Sequence, residues 1–246
     1  GGSLGLSRDY YVDEKVADKL AKYQEFVASM FQEFGDDEAT ANKNAATIVA
    51  FETSLAAPMM SKEDRRDTRK MYNPMSVAEL KELSPAIDWQ AHLKGIGVTD
   101  LDRVIVTDPG YFKAMSKIFT NRSVEDIKLL LRWNTINSSL GSLSTDLETA
   151  NWEFYSKEMR GAKKQRARDE RALGNVNGAV GEALGKLYVE KMFPPEAKAK
   201  AKEMIDNVML GFEKRIAGLE WMSEETKEKA LDKLHKLTVK IAYPDV

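Results

Sequence analysis

Residues 123–143 read Ser-Val-Glu-Asp-Ile-Lys-Leu-Leu-Leu-Arg-Trp-Asn-Thr-Ile-Asn-Ser-Ser-Leu-Gly-Ser-Leu. Ser123 stands where a helix N-cap is wanted. Ile127, Leu130, Leu131, Trp133, Ile136, Leu140 and Leu143 cover so much of the helix circumference that this segment is expected to be buried and central. Working upstream, Val16, Leu20, Tyr23, Val27, Met30 and Phe34 form a stripe at helical spacing over Asp13 to Phe34, and Gly35 follows where a left-handed C-cap residue is wanted. A second helix starts at Asp36 or Asp37, carries Ala41, Ala45, Ile48, Val49 and Leu55, and stops before Pro58. The two read as a helical hairpin.

Between Pro58 and Gly110 the pattern shortens. Asn73-Pro74, Ser84-Pro85, Gly95, Gly97 and Asp108-Pro109-Gly110 punctuate it, and Ser76 with Glu79 forms a capping box, with a weaker version at Ser61 and Asp64. Arg103 to Thr107 is β-prone through Val104-Ile105-Val106, and a single strand leaves its ladder groups unpaired, so it is expected either to find a partner near Val239 to Tyr243 or to lack one. Downstream, helices are expected around Asn151–Met159, Gln165–Met192, Pro195–Leu219 and Glu224–Leu237, the last capped by Ser223. The expected fold is mainly α, a multi-helix domain with a central buried helix and at most a minor strand pair.

Composition narrows the function. At 246 residues the chain exceeds one typical domain of ~150 residues without reaching two comfortable ones, and it is expected to form a single helical domain over 1–246. Hydrophobic residues at 43% supply a core, which excludes disorder for most of the chain. Lys and Arg number 37 against 39 Asp and Glu, a net charge of −2, so no overall field draws in nucleic acid. With no cysteine there is no disulfide, thiol nucleophile or thiolate-held metal. No apolar run reaches the ~20 residues of a membrane span, and Gly1-Gly2-Ser3-Leu4-Gly5 lacks the basic-then-apolar order of a signal segment.

Candidate chemistry is sparse. His92 has Asp88 four residues before it and His235 has Asp232 three before it, but neither has the second histidine and adjacent glutamate of a helical zinc site. No G-x-S-x-G segment is present. Gly174, Gly178, Gly181 and Gly185 share one helix face without the order of a phosphate loop. Four interior glycines cost about 3 to 4 kcal/mol relative to alanine, which close approach by another helix is expected to offset. Arg160, Lys163, Lys164, Arg166, Arg168 and Arg171 form a basic cluster interrupted by Asp169 and Glu170, expected to be solvated. Asp64, Arg65, Arg66 and Asp67 near Tyr72 are expected to pair on the surface, and Glu224 with Glu225 suits a helix start.

Five ordered segments carry a resemblance: Leu4-Gly5-Leu6-Ser7-Arg8-Asp9-Tyr10-Tyr11, Tyr72-Asn73-Pro74-Met75-Ser76-Val77, Gly181 to Glu190, Trp221 to Lys227, and Tyr243-Pro244-Asp245. Together they resemble the neprilysin family of zinc metallopeptidases, with Ser7 where the family often has proline and Ala242 where it often has glycine. The resemblance implies the helical, non-catalytic region that precedes the thermolysin-like zinc segment, a region that walls an internal cavity and restricts access to short peptides. It implies zinc in the parent enzyme and none in this fragment, no catalytic or metal-binding residue to carry over, unassigned substrate-binding residues, and the parent's catalytic domain and peptide substrates as partners. It suggests a cell-envelope or periplasmic setting. Two other readings remain: a self-contained helical binding or scaffold module related to the peptidases, and an independent hydrolase using Asp88, His92 or His235.

Overall fold

In the computed structural model, residues 4–244 are described. Gly1-Gly2-Ser3 and Asp245, the last residue of the Tyr243-Pro244-Asp245 segment, lie outside the described residues. The chain is mainly α-helical, and it divides into two compact units, one ending at Gln165 and one beginning at Arg166.

The first unit is built on the expected hairpin. After a 3-10 turn over Glu14–Val16, helices run over Ala17–Glu33 and Glu38–Ala56. Gly35 takes φ +97°, a conformation only glycine adopts freely, and Asp36 N donates to Phe31 O at 3.0 Å to close the helix end. Asp37 then caps the second helix by accepting from Thr40 N at 2.9 Å. Asp36 has a further task. Its carboxylate accepts both terminal guanidinium nitrogens of Arg132 at 2.8 and 2.9 Å, and the same guanidinium lies over the Phe31 ring at 5.0 Å. This fork holds the Asp36 carboxyl below its ordinary range and ties the hairpin turn to the Val124–Ser139 helix.

The Val124–Ser139 helix enters the core on one face. Leu130, Trp133 and Ile136 are buried, followed by Leu140, whereas Leu131 and Leu143 are exposed. The hairpin helices carry more of the core, from Tyr23, Val27 and Phe31 on one to Ile48, Phe51 and Leu55 on the other. Trp133 is the hub between them, with the rings of Tyr23, Phe26 and Phe31 at 6.1, 6.2 and 5.8 Å. The expected helix around Asn151–Met159 is an α-helix over Thr145–Trp152 that passes into a π-helix over Glu153–Glu158. In the widened turn, Phe154 stacks on Phe26 at 4.3 Å and Tyr155 meets it edge-on at 5.6 Å, so adjacent residues both reach the same ring.

The β-prone run has a different partner from the one expected. Val104–Ile105 pairs antiparallel with Pro74–Met75, in the register Pro74 to Ile105 and Met75 to Val104. Asn73 decides this: its carbonyl accepts from Val106 N and its side-chain amide donates to Val106 O, both at 3.0 Å, which sets the two segments side by side. The capping box at Ser76 and Glu79 then turns the chain into the Val77–Leu83 helix. Val239 to Tyr243, in the second unit, carries no strand.

The second unit comprises helices Arg168–Met192, Pro195–Ala217 and Glu224–His235. Neither of the two long helices has a buried residue, and Leu234 is the buried apolar side chain on the third. The helix carrying the glycine row is broken at Val180, whose φ −135° and ψ 30° are not helical. No helix closes on the row among the described residues. A Cβ at Gly174, Gly178 or Gly185 would meet nothing within 4 Å, and one at Gly181 would meet only the Asn177 side chain, at 3.4 Å or more. The expected close approach is therefore absent here, and the cost of these glycines is not offset by packing within the described residues.

Ala242 sits at φ +63°, so its methyl is held in the left-handed region where alanine is strained by about 1 kcal/mol or more. Ala242→Gly is expected to raise the thermal stability of the second unit by roughly 0.5 kcal/mol, the relief of strain outweighing the added freedom of the unfolded chain. A lowered melting temperature in differential scanning calorimetry would contradict this.

Candidate functional site

The segment Leu4–Tyr11 buries Leu6 and Tyr11 in the core, with Leu4 and Tyr10 packed against it, and its hydrogen bonds converge on one buried carboxylate. Glu52 has no solvent exposure. Its Oε1 accepts from Gly5 N at 3.0 Å and its Oε2 from the Tyr11 hydroxyl at 2.8 Å, and Tyr11 in turn accepts from Leu6 N at 3.0 Å. Tyr23 lies beside this pair, its ring edge-on to Tyr11 at 6.3 Å, and its hydroxyl accepts from the Trp133 indole N–H at 2.9 Å. Burial pushes the Glu52 carboxyl above its ordinary range, and the bonds from Tyr11 and Gly5 oppose that rise. Burial and the neighbouring carboxylate push both tyrosine hydroxyls far up, so they remain neutral donors.

Gly5 is required by space. A Cβ there would lie 1.7 Å from the Tyr23 hydroxyl oxygen, inside any possible contact. The rest of the segment is fastened along its length. Arg8 Nε donates to Met59 O at 2.8 Å, and Asp9 pairs with Lys62 at 2.6 Å. Asp108 receives Met60 N at 2.7 Å on one oxygen and caps the Pro109–Asn121 helix through Tyr111 N at 2.9 Å on the other. Thus the chain start, the turn after Ala56 and the start of the Pro109–Asn121 helix are held next to one another.

What they enclose is an open cleft of about 670 Å³. Its apolar walls include Met59, Met60, Met71, Phe112, Tyr155 and Met159, and its charged lining is Arg8, Lys62, Arg65 and Arg160 with Asp108. A volume of this size admits several side chains of a ligand, and methionine walls adapt their shape.

The residues singled out in the sequence are occupied structurally. Asp88 caps the Trp89–Gly95 helix through Ala91 N at 3.0 Å, and His92 packs edge-on to Trp89. Asp232 pairs with Lys236 at 2.6 Å, and His235 is exposed with Glu213 as its neighbour at 3.5 Å. His92 and His235 belong to different units. Glu224 and Glu225 pair with Lys227 and Lys229 along their own helix. Asp64 and Asp67 do pair on the surface, with Lys70 and Arg69 rather than with Arg65 or Arg66. Arg160, Lys163, Lys164, Arg166 and Arg168 are exposed. Among the described residues, no group of three or more histidine, aspartate and glutamate side chains is arranged to hold a metal ion. Glu52 was not singled out in the sequence, although its spacing of four from Ile48 and three from Leu55 places it on the buried face of its helix.

The fold is that of a helical peptidase region, and comparison with known proteins makes the assignment. The N-terminal model of Peptidase family M13 matches residues 1–244, and the chain belongs to that family. It is 29% identical to Neprilysin-1 of Caenorhabditis elegans over 264 residues, covering 99% of this chain and 34% of that protein. It is also 29% identical to Endothelin-converting enzyme 1 of Mus musculus over 250 residues, covering 98% of this chain and 32% of that protein. The structure of the zinc metalloprotease Zmp1 of Mycobacterium tuberculosis with an inhibitor superposes with TM-score 0.89 at 32% identity, over 100% of this chain and 37% of that one. The chain thus spans about a third of the length of these relatives.

Two substitutions test the buried network. Gly5→Ala is expected to destabilise the first unit by about 1 to 3 kcal/mol through overpacking against Tyr23, read as a lowered urea midpoint. For Glu52 the raised folded pKa fixes the sign. The group's contribution is fully present below its ordinary value of 4.5 and is lost as pH rises through the folded pKa. Glu52→Gln, which cannot ionise, is expected to lose less stability than the parent chain between pH 4.5 and neutrality. Equal losses in urea titrations at the two pH values would show that Glu52 does not titrate differently on folding.

Proposed function

We propose that this chain forms the helical wall of the substrate chamber in a neprilysin-like zinc metalloendopeptidase and restricts access to short peptides. Zinc, its ligands and the base that activates water belong to the rest of the parent enzyme. Membership of Peptidase family M13, with coverage of about a third of each relative, is the observation that carries this reading. The second unit supports it. Its two long helices bury no residue and expose Leu187, Tyr188, Met192, Met204, Val208 and Phe212, apolar area that the catalytic domain of the parent would cover. A self-contained scaffold module would have to leave that area in water. Within this reading, the first unit supplies rigidity and the cleft described above faces the peptide.

The experiment is reconstitution. The zinc-bearing part of the parent, supplied as a second polypeptide, is mixed with this chain and assayed on a short quenched-fluorescence peptide and on a folded protein carrying the same cleavable sequence. The complex is expected to cut the short peptide and spare the folded protein, and this chain alone is expected to cut neither. Chelator-sensitive cleavage by this chain alone, free of contaminants, would refute the division of labour. Equal discrimination by the zinc-bearing part without this chain would refute the wall.

A further inference from the structure

The lining of the first unit's cleft has unequal charge. Asp108, the carboxylate among its charged residues, already accepts two backbone N–H groups, from Met60 and Tyr111. Arg8 and Lys62 share Asp9, at 3.5 and 2.6 Å. Arg65 and Arg160 remain. Their expected counter-charges are taken elsewhere, because Asp64 pairs with Lys70, Asp67 with Arg69, and Glu158 with Lys19 and Lys22 at 2.8 and 2.6 Å. Among the described residues neither arginine has an ion pair or a side-chain hydrogen bond. Both side chains are exposed, and both line the same cleft.

Resting on the reading of this chain as part of a peptide-cleaving enzyme, we propose that this cleft is a binding subsite for a peptide segment that carries carboxylate side chains between apolar ones. A guanidinium fork matches a carboxylate with two parallel hydrogen bonds, and two unpaired forks at one cleft select an anion. The cleft, at about 670 Å³, is far larger than a simple inorganic anion, and Met59, Met71, Phe112 and Met159 give it walls that reward an apolar neighbour of the charge. A polyanion such as a nucleic acid fits less well. The chain as a whole is at −2, Asp108 lines the cleft, and Asp9 is paired with two of its cations, so a continuous phosphate backbone would meet like charge there.

The test is fluorescence anisotropy on the purified chain, without zinc or cleavage. It uses a labelled peptide Leu-Glu-Phe-Glu-Leu, its uncharged counterpart Leu-Gln-Phe-Gln-Leu, and an oligothymidylate of similar length. The acidic peptide is expected to bind about tenfold more tightly than the uncharged one, with the difference shrinking as salt is raised. Arg65→Ala with Arg160→Ala is expected to abolish that difference while leaving weak binding of the uncharged peptide. Arg66→Ala with Arg168→Ala, an equal loss of charge at exposed residues outside the cleft lining, is expected to leave the difference in place. Equal binding of the two peptides, no binding of either, tighter binding of the oligothymidylate, or an equal effect of the Arg66→Ala and Arg168→Ala pair would each overturn the proposal. Because no hydrolysis is read, these outcomes are independent of reconstitution, so a failed subsite and a failed cavity wall are distinguishable.

Discussion

A carboxylate without solvent exposure is costly to keep in a helical core, and the first unit keeps one at Glu52 by surrounding it with neutral donors. The arrangement is directional. Tyr11 and the backbone of Gly5 donate to Glu52, and beside them Trp133 donates to Tyr23. The donors to Glu52 fasten the segment Leu4–Tyr11 to the second hairpin helix, and the Trp133–Tyr23 bond ties the Val124–Ser139 helix to the first. Apolar packing alone leaves the azimuth of neighbouring helices open to small rotations. A buried group that must receive particular donors does not, and the geometry of the cleft inherits that restriction through Arg8, Asp9 and Met59.

The two units stand in contrast. The first has an aromatic centre in which Trp133, Tyr23 and Phe31 are fully buried, and its polar groups are matched along the segment that borders the cleft. The second has long helices with sound ends but almost no interior. Pro195 begins one in a first turn, Ser223 caps another through Thr226 N, and Lys198 lies over the Tyr243 ring at 4.1 Å. Local signals suffice to make such helices, whereas their stability in globular proteins comes mainly from packing an apolar face. On the proposed function, that packing is provided by the remainder of the parent enzyme.

Local signals were legible in the sequence where one residue decides the outcome. Gly35, Asp37, Ser76 and Ser123 act as their types require, because a cap is satisfied by its own next turn. Trp133 was legible as core. What was not legible depends on partners distant in the chain. Asn73, not the β-prone run, chose the strand pairing, and an asparagine side chain bonding to both neighbours has no signature in hydropathy. Glu52 has the sequence context of any charged helix residue, and only the convergence of residues 5 and 11 on it shows why it faces inward. The cleft was hidden for the same reason. Arg65 was read with its sequence neighbours, but those neighbours pair elsewhere and leave it facing residues from three other segments.

The glycine row carries the same logic one level further. A helix that accepts four glycines gives up about 3 to 4 kcal/mol against alanine, and within the described residues nothing comes close enough to make use of the missing side chains. The break at Val180 falls between Gly178 and Gly181, where the backbone is least held by propensity. Leu173, Val176, Leu187 and Tyr188 are exposed on the same helix. Small and apolar residues together suit close backbone contact with another element, and either feature alone would be uninformative. If the parent's catalytic domain lies against this helix, the glycines let backbones approach and the flanking apolar side chains lose their water, so one contact accounts for both the cost and the exposure.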